Sequence, residues 1–226
     1  MSNYKLVSIE GNIGSGKSTL LENLKTYYND NTNVIFLKEP VDDWEKIKDK
    51  QGNTILKKFY LDQEKYSFAF QMMAYISRLK ILKNIVNNIV SKNPDKQYVI
   101  ITERSLYTDK YVFAKMLYDQ EKIESVCYQI YLNWFDEFAN DFPINYYVYI
   151  ITDPVNCYNR IHKRARDGEE TIPLKYLKEC HDYHETFLNE NTEITSTKLV
   201  LDGNVDINKN KNIVSEWIEK INSLIL

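Results

Sequence analysis

Residues 11–19 read GNIGSGKST, directly behind the apolar run KLVSIE at 5–10 and ahead of LLENLK at 20–25. This is the spacing G-x-x-x-x-G-K-[ST] between a strand and a helix, the context that lets such a loop wrap a phosphate. The whole chain has only six glycines, and Gly11, Gly14 and Gly16 stand here. Without Cβ atoms, backbone N–H groups from Gly11, Asn12, Ile13, Gly14, Ser15 and Gly16 can converge on phosphate oxygens. The helix that begins at Lys17, Ser18 and Thr19 adds the positive end of its dipole. In such loops the lysine reaches the β- and γ-phosphates and the hydroxyl after it helps hold Mg²⁺. A nucleoside triphosphate site is the expectation.

Four further apolar, β-branched runs follow, at 33–39, 97–103, 145–152 and 198–202. Near-continuous apolar strands are what a parallel sheet covered on both faces requires. Helical stretches separate them: 17–29, a pair across 42–91, a pair across 105–140, then 154–189 and a last helix at about 209–225. The alternation predicts an α/β, three-layer P-loop kinase fold, a five-stranded parallel sheet flanked by helices. No repeat or low-complexity linker interrupts it, and 190–197 reads as a polar loop, so residues 1–226 are expected to form one domain.

Composition excludes other classes. The formal net charge is −3, with 43% hydrophobic and 27% charged residues, so nucleic acid and anionic membranes are not expected partners. No apolar run approaches a membrane span. The N-terminus enters its strand almost at once, so a cytoplasmic location without targeting peptide is expected. Cys127, Cys157 and Cys180 are odd in number and not at metal-ligand spacing, consistent with reduced thiols.

Ligands of an open parallel sheet lie beyond the carboxyl ends of its strands. Those ends supply Glu39, Glu103, Arg104 and Asp153. A carboxylate there can take a hydroxyl proton or help hold metal, and an arginine can stabilise a transferring phosphoryl group. Asp153, before Pro154, reads instead as a helix N-cap. The chain has 29 basic residues but only five arginines, and three of them, Arg160, Arg164 and Arg166, fall in RIHKRARDGEE at 160–170. Arg160 and Arg164 share a helical face and repel unless an anion neutralises them. A guanidinium fork fits phosphate oxygens, so an arginine-rich lid over about 160–172 is expected, with a break at Gly168.

IEGNIGSGKST, EPV followed by Trp44, YSFAFQ, ERSLYTDKYVFA and RIHKRARDGEETIPLKYL, in this order across most of the chain, resemble the deoxyribonucleoside kinase family, in its deoxycytidine/deoxyguanosine kinase-like form. The resemblance implies ATP-dependent phosphorylation of a deoxyribonucleoside 5′-hydroxyl in nucleotide salvage. It implies Glu39 as the general base with Arg104 beside it, and Ser18 with Glu103 around Mg²⁺. The three lid arginines would meet the phosphates, while Glu169 and Tyr60 would hold the sugar 3′-hydroxyl. Glu170 leaves open a register shifted by one.

Gln71, Ala74 and Arg78 share one helix face by spacing. The Gln71 amide can read a base edge, and Phe70 with Phe113 can sandwich a base. The resemblance pairs Arg78 with Asp109 in members that take cytosine or purine bases rather than thymine, so that preference is expected here. In the family's adenine-contacting segment, DGNVDINKN at 202–210, Ile207 stands where an aromatic residue is frequent, which leaves the triphosphate donor open. A homodimer is implied through helices, with YQIYLNWFDEF at 128–138 richer in apolar residues than one core face needs. The competing readings are a thymidylate-type nucleoside monophosphate kinase and a non-catalytic nucleotide-binding subunit. The first would show Asp-Arg where this chain has Glu103-Arg104, and the second would permit loss of Lys17, Glu39 or Arg104, all of which are present.

Overall fold

Period-two alternation in the strands decides the layering. In a computed structural model, which describes residues 3–166, 168–191, 196–205, 207, 210 and 212–225, the strands are β1 (Tyr4–Glu10), β2 (Val34–Leu37), β3 (Tyr98–Glu103), β4 (Tyr146–Ile151) and β5 (Thr197–Asp202). All pair in parallel in the order β2-β3-β1-β4-β5, with Ile9 opposite Glu103 and Val148. Successive side chains point to opposite faces. Leu6, Tyr98, Ile100, Tyr147 and Tyr149 therefore enter one core, and Val7, Ile9, Val99, Ile101, Val148 and Ile150 enter the other.

The second core is closed by α1 (Lys17–Tyr27) and α10 (Asn212–Ile225), through Leu20, Leu21, Leu24, Trp217, Ile218 and Ile221. The larger, first core is covered by α2 (Val41–Trp44), α3 (Ile55–Leu61), α4 (Gln63–Ile85), α5 (Leu106–Thr108), α6 (Lys115–Asp119), α7 (Ser125–Phe138), α8 (Pro154–Arg164) and α9 (Leu174–Glu185). These are the three layers expected from the sequence.

The helices divide more finely than the sequence pattern suggests. The stretch 42–91 resolves into α2, α3 and α4, because Thr54 and Asp62 each cap a new helix, accepting from the amides of Lys57 and Lys65. α1 ends at Tyr27, two residues before the expected 29. The stretch 154–189 breaks ahead of Pro173 as expected, but earlier than Gly168, with α8 ending at Arg164 and α9 beginning at Leu174. Asp153 caps its start by accepting from Val155 N at 2.7 Å, with Pro154 in the first turn, and Ala165 ends α8 in a left-handed conformation, φ 50°. Between α5 and α6 the chain winds in wide turns over Asp109–Ala114, a geometry common near functional sites.

Residues 192–195 of the expected polar loop, together with Asp167 and the start of the expected 209–225 helix, lie outside the described residues. Among the described residues no helix is long and apolar enough to cross a membrane, and all three cysteines are free. Ile221 is fully buried between α10 and the sheet. Replacing it with alanine is expected to cost about 3 kcal/mol, lowering Tm by about 6–12 °C in thermal unfolding.

Candidate active site

The phosphate loop joins β1 to α1 with three glycines at positive φ, of which two permit no side chain. A Cβ on Gly11 (φ 141°) would lie 2.7 Å from Ile150 O, and one on Gly14 (φ 79°) 2.7 Å from Cys157 O. Lys17 is buried and donates from Nζ to Asn12 O at 2.7 Å. Burial, reinforced by the Arg104 charge, lowers its ammonium to about 7, against the opposing pull of Glu103 and Glu39. The Ser18 hydroxyl donates to Glu103 Oε1 at 2.7 Å. Asn12 turns away, its amide donating to Leu177 O at 2.7 Å, so it braces the loop from behind.

Beyond the ends of β2 and β3 lies a set of buried charges. Glu39 Oε1 accepts from Arg104 Nη1 at 2.8 Å and from Arg78 Nη2 at 3.1 Å. Burial alone would raise the Glu39 carboxyl, yet Arg104, Arg78 and Lys17 overcome it and hold it down at about 2. It is therefore a carboxylate at any working pH. Arg104 sits at φ 64°, an unusual backbone for a residue with a side chain, with its guanidinium over the Phe113 ring at 5.1 Å. Its Nε is buried and has no hydrogen-bond partner among the described residues.

These groups open on a cavity of about 840 Å³. Gln71, Ala74 and Phe70 reach it from α4, Tyr60 from α3, and Asp109 and Phe113 from the wide turns after α5. Arg78 does not line it. Its Nε and Nη2 donate to Asp109 at 3.0 and 3.4 Å, its Nη1 to Glu103 O at 2.6 Å, so it stands behind the wall and ties Asp109 to Glu39. Phe70 stacks on Phe59 at 4.6 Å and meets Trp44 edge-on at 5.4 Å.

Among the wall residues that the sequence did not single out as binding groups are two large aromatics, Trp44 and Tyr176. Trp44 follows EPVDD and is pinned by its indole N–H to Ser77 Oγ at 2.9 Å, and Tyr176 lies edge-on to Tyr60 at 6.2 Å. Tyr176 lies in the RIHKRARDGEETIPLKYL stretch, but in a chain with 18 tyrosines that stretch gave it no role of its own.

The arginine segment borders the same cavity. Here the guanidinium groups face protein atoms. Arg164 and Arg166 both pair with the buried Glu169, the second at 3.3 Å, while Arg160 donates to Gly203 O at 2.7 Å and Ser15 O at 3.3 Å. Glu169 thus pairs with two of the three like charges that sequence spacing placed together, and offsets one of them. Burial first, then Glu169, pushes the Tyr60 phenol up. The Glu170 side chain lies outside the described residues. At the far end the cavity is bordered by Asn204, Val205, Ile207 and Val214; Asp206, Asn208 and Lys209 of that segment are outside the described residues.

Among the described residues no cluster of three or more His, Cys, Asp or Glu side chains exists to hold a metal. Mg²⁺ needs no such cage, since it binds through one or two protein oxygens plus phosphates and water. The Ser18 hydroxyl and Glu103 carboxylate beside the loop fit that need.

Residues 7–226 match the family described as deoxynucleoside kinase. The chain is 33% identical to deoxycytidine kinase 1 of Xenopus laevis, over 98% of this chain and 90% of that protein. It is 35% identical to a probable deoxycytidine kinase of fowlpox virus, over 100% and 92%. Its identity to the mitochondrial deoxyguanosine kinase of Xenopus laevis is 32%, over 83% and 74%.

The lowered Lys17 predicts a proton linkage. In the free protein its ammonium is partly deprotonated above pH 7, whereas a bound triphosphate favours the cation. Binding of ATP should therefore take up protons increasingly from pH 6 to 8, and affinity should fall as pH rises through that range. Calorimetry in two buffers of different ionisation enthalpy measures the uptake.

Proposed function

The chain belongs to the deoxynucleoside kinase family, and on that premise we propose how its residues divide the transfer of a phosphoryl group from a nucleoside triphosphate to a deoxynucleoside. The observation that carries the reading is the Glu39 carboxylate, shared by Arg104 and Arg78 and opening on the same cavity as the phosphate loop. ATP is the proposed donor. Its phosphates lie in the loop of residues 11–19, with Lys17 on the β- and γ-oxygens. Mg²⁺, held by Ser18 and Glu103, would offset charge on those oxygens.

The deoxynucleoside 5′-hydroxyl donates a hydrogen bond to Glu39. A carboxylate held at about 2 is a weak base, so it orients the hydroxyl first. It takes the proton late, once bonding to phosphorus has made the hydroxyl acidic. The Arg104 guanidinium, which lines the cavity beside Glu39, would donate to the oxygens between the two substrates. Arg160, Arg164 and Arg166, in a lid over about 160–172 of one domain, turn to the phosphates when ATP arrives, which frees Glu169 to join Tyr60 on the sugar 3′-hydroxyl.

Phe70 and Phe113 hold the base between them and Gln71 reads its edge. The Arg78–Asp109 pair supports a preference for cytosine or purine over thymine, because Asp109, fixed at the cavity wall by Arg78, turns carboxyl oxygens toward the site as acceptors for an exocyclic amino group. Thymine lacks that donor. The names of the relatives agree with this preference.

A homodimer through α7 and α4 is also proposed. Val126, Ile130 and Trp134, spaced by four on α7, are exposed together with Ile76 of α4. Three free thiols suit a cytoplasmic, reducing compartment.

Monophosphate formation from ATP and Mg²⁺, with the four deoxynucleosides and thymidylate in parallel, tests the assignment. Deoxycytidine or a purine deoxynucleoside should be turned over best, and thymidine ranking first by a wide margin would defeat the base assignment. Glu39→Gln should lower kcat by about 10²–10⁴-fold with ATP binding retained.

A further inference from the structure

One buried carboxylate near the site takes no part in the reaction as described. Glu10, the last residue of β1, is fully buried and makes no ion pair with any described residue. Its partners are three hydroxyls. Oε1 accepts from Ser8 Oγ at 2.6 Å and Ser105 Oγ at 2.8 Å, and Oε2 accepts from Thr108 Oγ1 at 2.6 Å. Ser8 is its neighbour on the same face of β1 by the two-residue period. Ser105 and Thr108 come from elsewhere in the chain.

Those two hydroxyls form the N-terminal cap of α5. Ser105 Oγ accepts from the Thr108 amide at 3.1 Å, and Thr108 Oγ1 accepts from the Ser105 amide at 3.4 Å. Each hydroxyl then uses its own hydrogen to reach Glu10. The carboxylate is therefore the terminus on which both halves of the cap end. On one side of the cap stands Arg104, held at φ 64°, and on the other Asp109. A residue with a side chain keeps a left-handed backbone only where its surroundings over-determine it.

We propose that Glu10 is a positioning residue for phosphoryl transfer. By gathering Ser105 and Thr108 it fixes the turn that aims Arg104 at Glu39 and at the transferring group. It also couples the first residue before the phosphate loop to the end of β3. The proposal rests on the role given above to Arg104. A buried carboxylate without a cation is costly unless its lone pairs are filled. Here three short hydroxyl bonds fill them, so the network holds a single geometry.

The test uses the full-length chain. Glu10→Gln keeps the shape but puts an N–H₂ where an acceptor stood, so one hydroxyl must turn away. It should lower kcat by about 10–100-fold, the scale of a misplaced catalytic group, with KM for ATP changed by less than about threefold. Thr108→Val should act in the same direction, and Thr108→Ser should keep near-normal turnover. Combined with Arg104→Lys, the Glu10→Gln loss should be far from additive.

Wild-type kcat in Glu10→Gln with a lowered Tm would overturn the proposal, as would full additivity with Arg104→Lys. If Glu10→Gln does not fold, the Thr108→Val and Thr108→Ser pair decides: equal turnover in both sinks the idea. Unchanged activity in Arg104→Lys alone would instead defeat the kinase role of Arg104, an outcome separable from the others.

Discussion

Two guanidinium groups on one carboxylate organise this site. Glu39 is held between Arg104 and Arg78, and Arg78 passes the link on to Asp109. Buried charges of one sign would be prohibitive, and a single buried pair can fail to offset its own desolvation. Here two arginines meet two carboxylates with directed, short hydrogen bonds, so the cluster is satisfied internally apart from Arg104 Nε. Its position follows from the sheet. β2 and β3 are neighbours and parallel, so their carboxyl ends deliver Glu39, Glu103 and Arg104 to one edge, next to the loop that leaves β1.

The same cluster joins the two halves of the cavity. Lys17 on the phosphate side is lowered first by its burial and then by Arg104, while Glu103 and Glu39 pull it back up, so its ammonium is coupled to the same cluster. On the other side Arg78 stands behind the wall rather than in it. It reaches the cavity wall only by fixing Asp109. A substitution at Arg78 thus disturbs two side chains at once, Asp109 and Glu39.

The arginine segment shows how a cluster of like charge is tolerated without a phosphate. Glu169 lies buried between Arg164 and Arg166, while Arg160 is taken up by two backbone carbonyls, one in the phosphate loop and one after β5. The Glu169 pairs are local, whereas Arg160 ties the segment to the phosphate loop and to the turn after β5. Gly168, at φ 85°, packs against the backbone of Lys57, so the segment is seated on α3 in this state.

What the sequence determined by itself is the local chemistry. Glycines at 11, 14 and 16 before a lysine specify a phosphate loop, five near-continuous apolar runs specify a parallel sheet with two covered faces, and Asp153 before Pro154 specifies a helix start. Each is a rule over a few neighbouring residues, which is why the family resemblance and the layer order were legible. Helix boundaries were less so, because caps at Thr54 and Asp62 and the left-handed Ala165 interrupt patterns that continue through them. Tertiary structure alone decided the partners. That Arg78 faces Glu39 across 39 residues, that Glu10 gathers hydroxyls 95 and 98 residues away, and that Tyr176 closes on Tyr60 depend on strand order and helix docking. No local spacing encodes those distances. Burial then turns such meetings into shifted charges and fixed geometry, because a buried polar group must find a partner wherever the fold has put one.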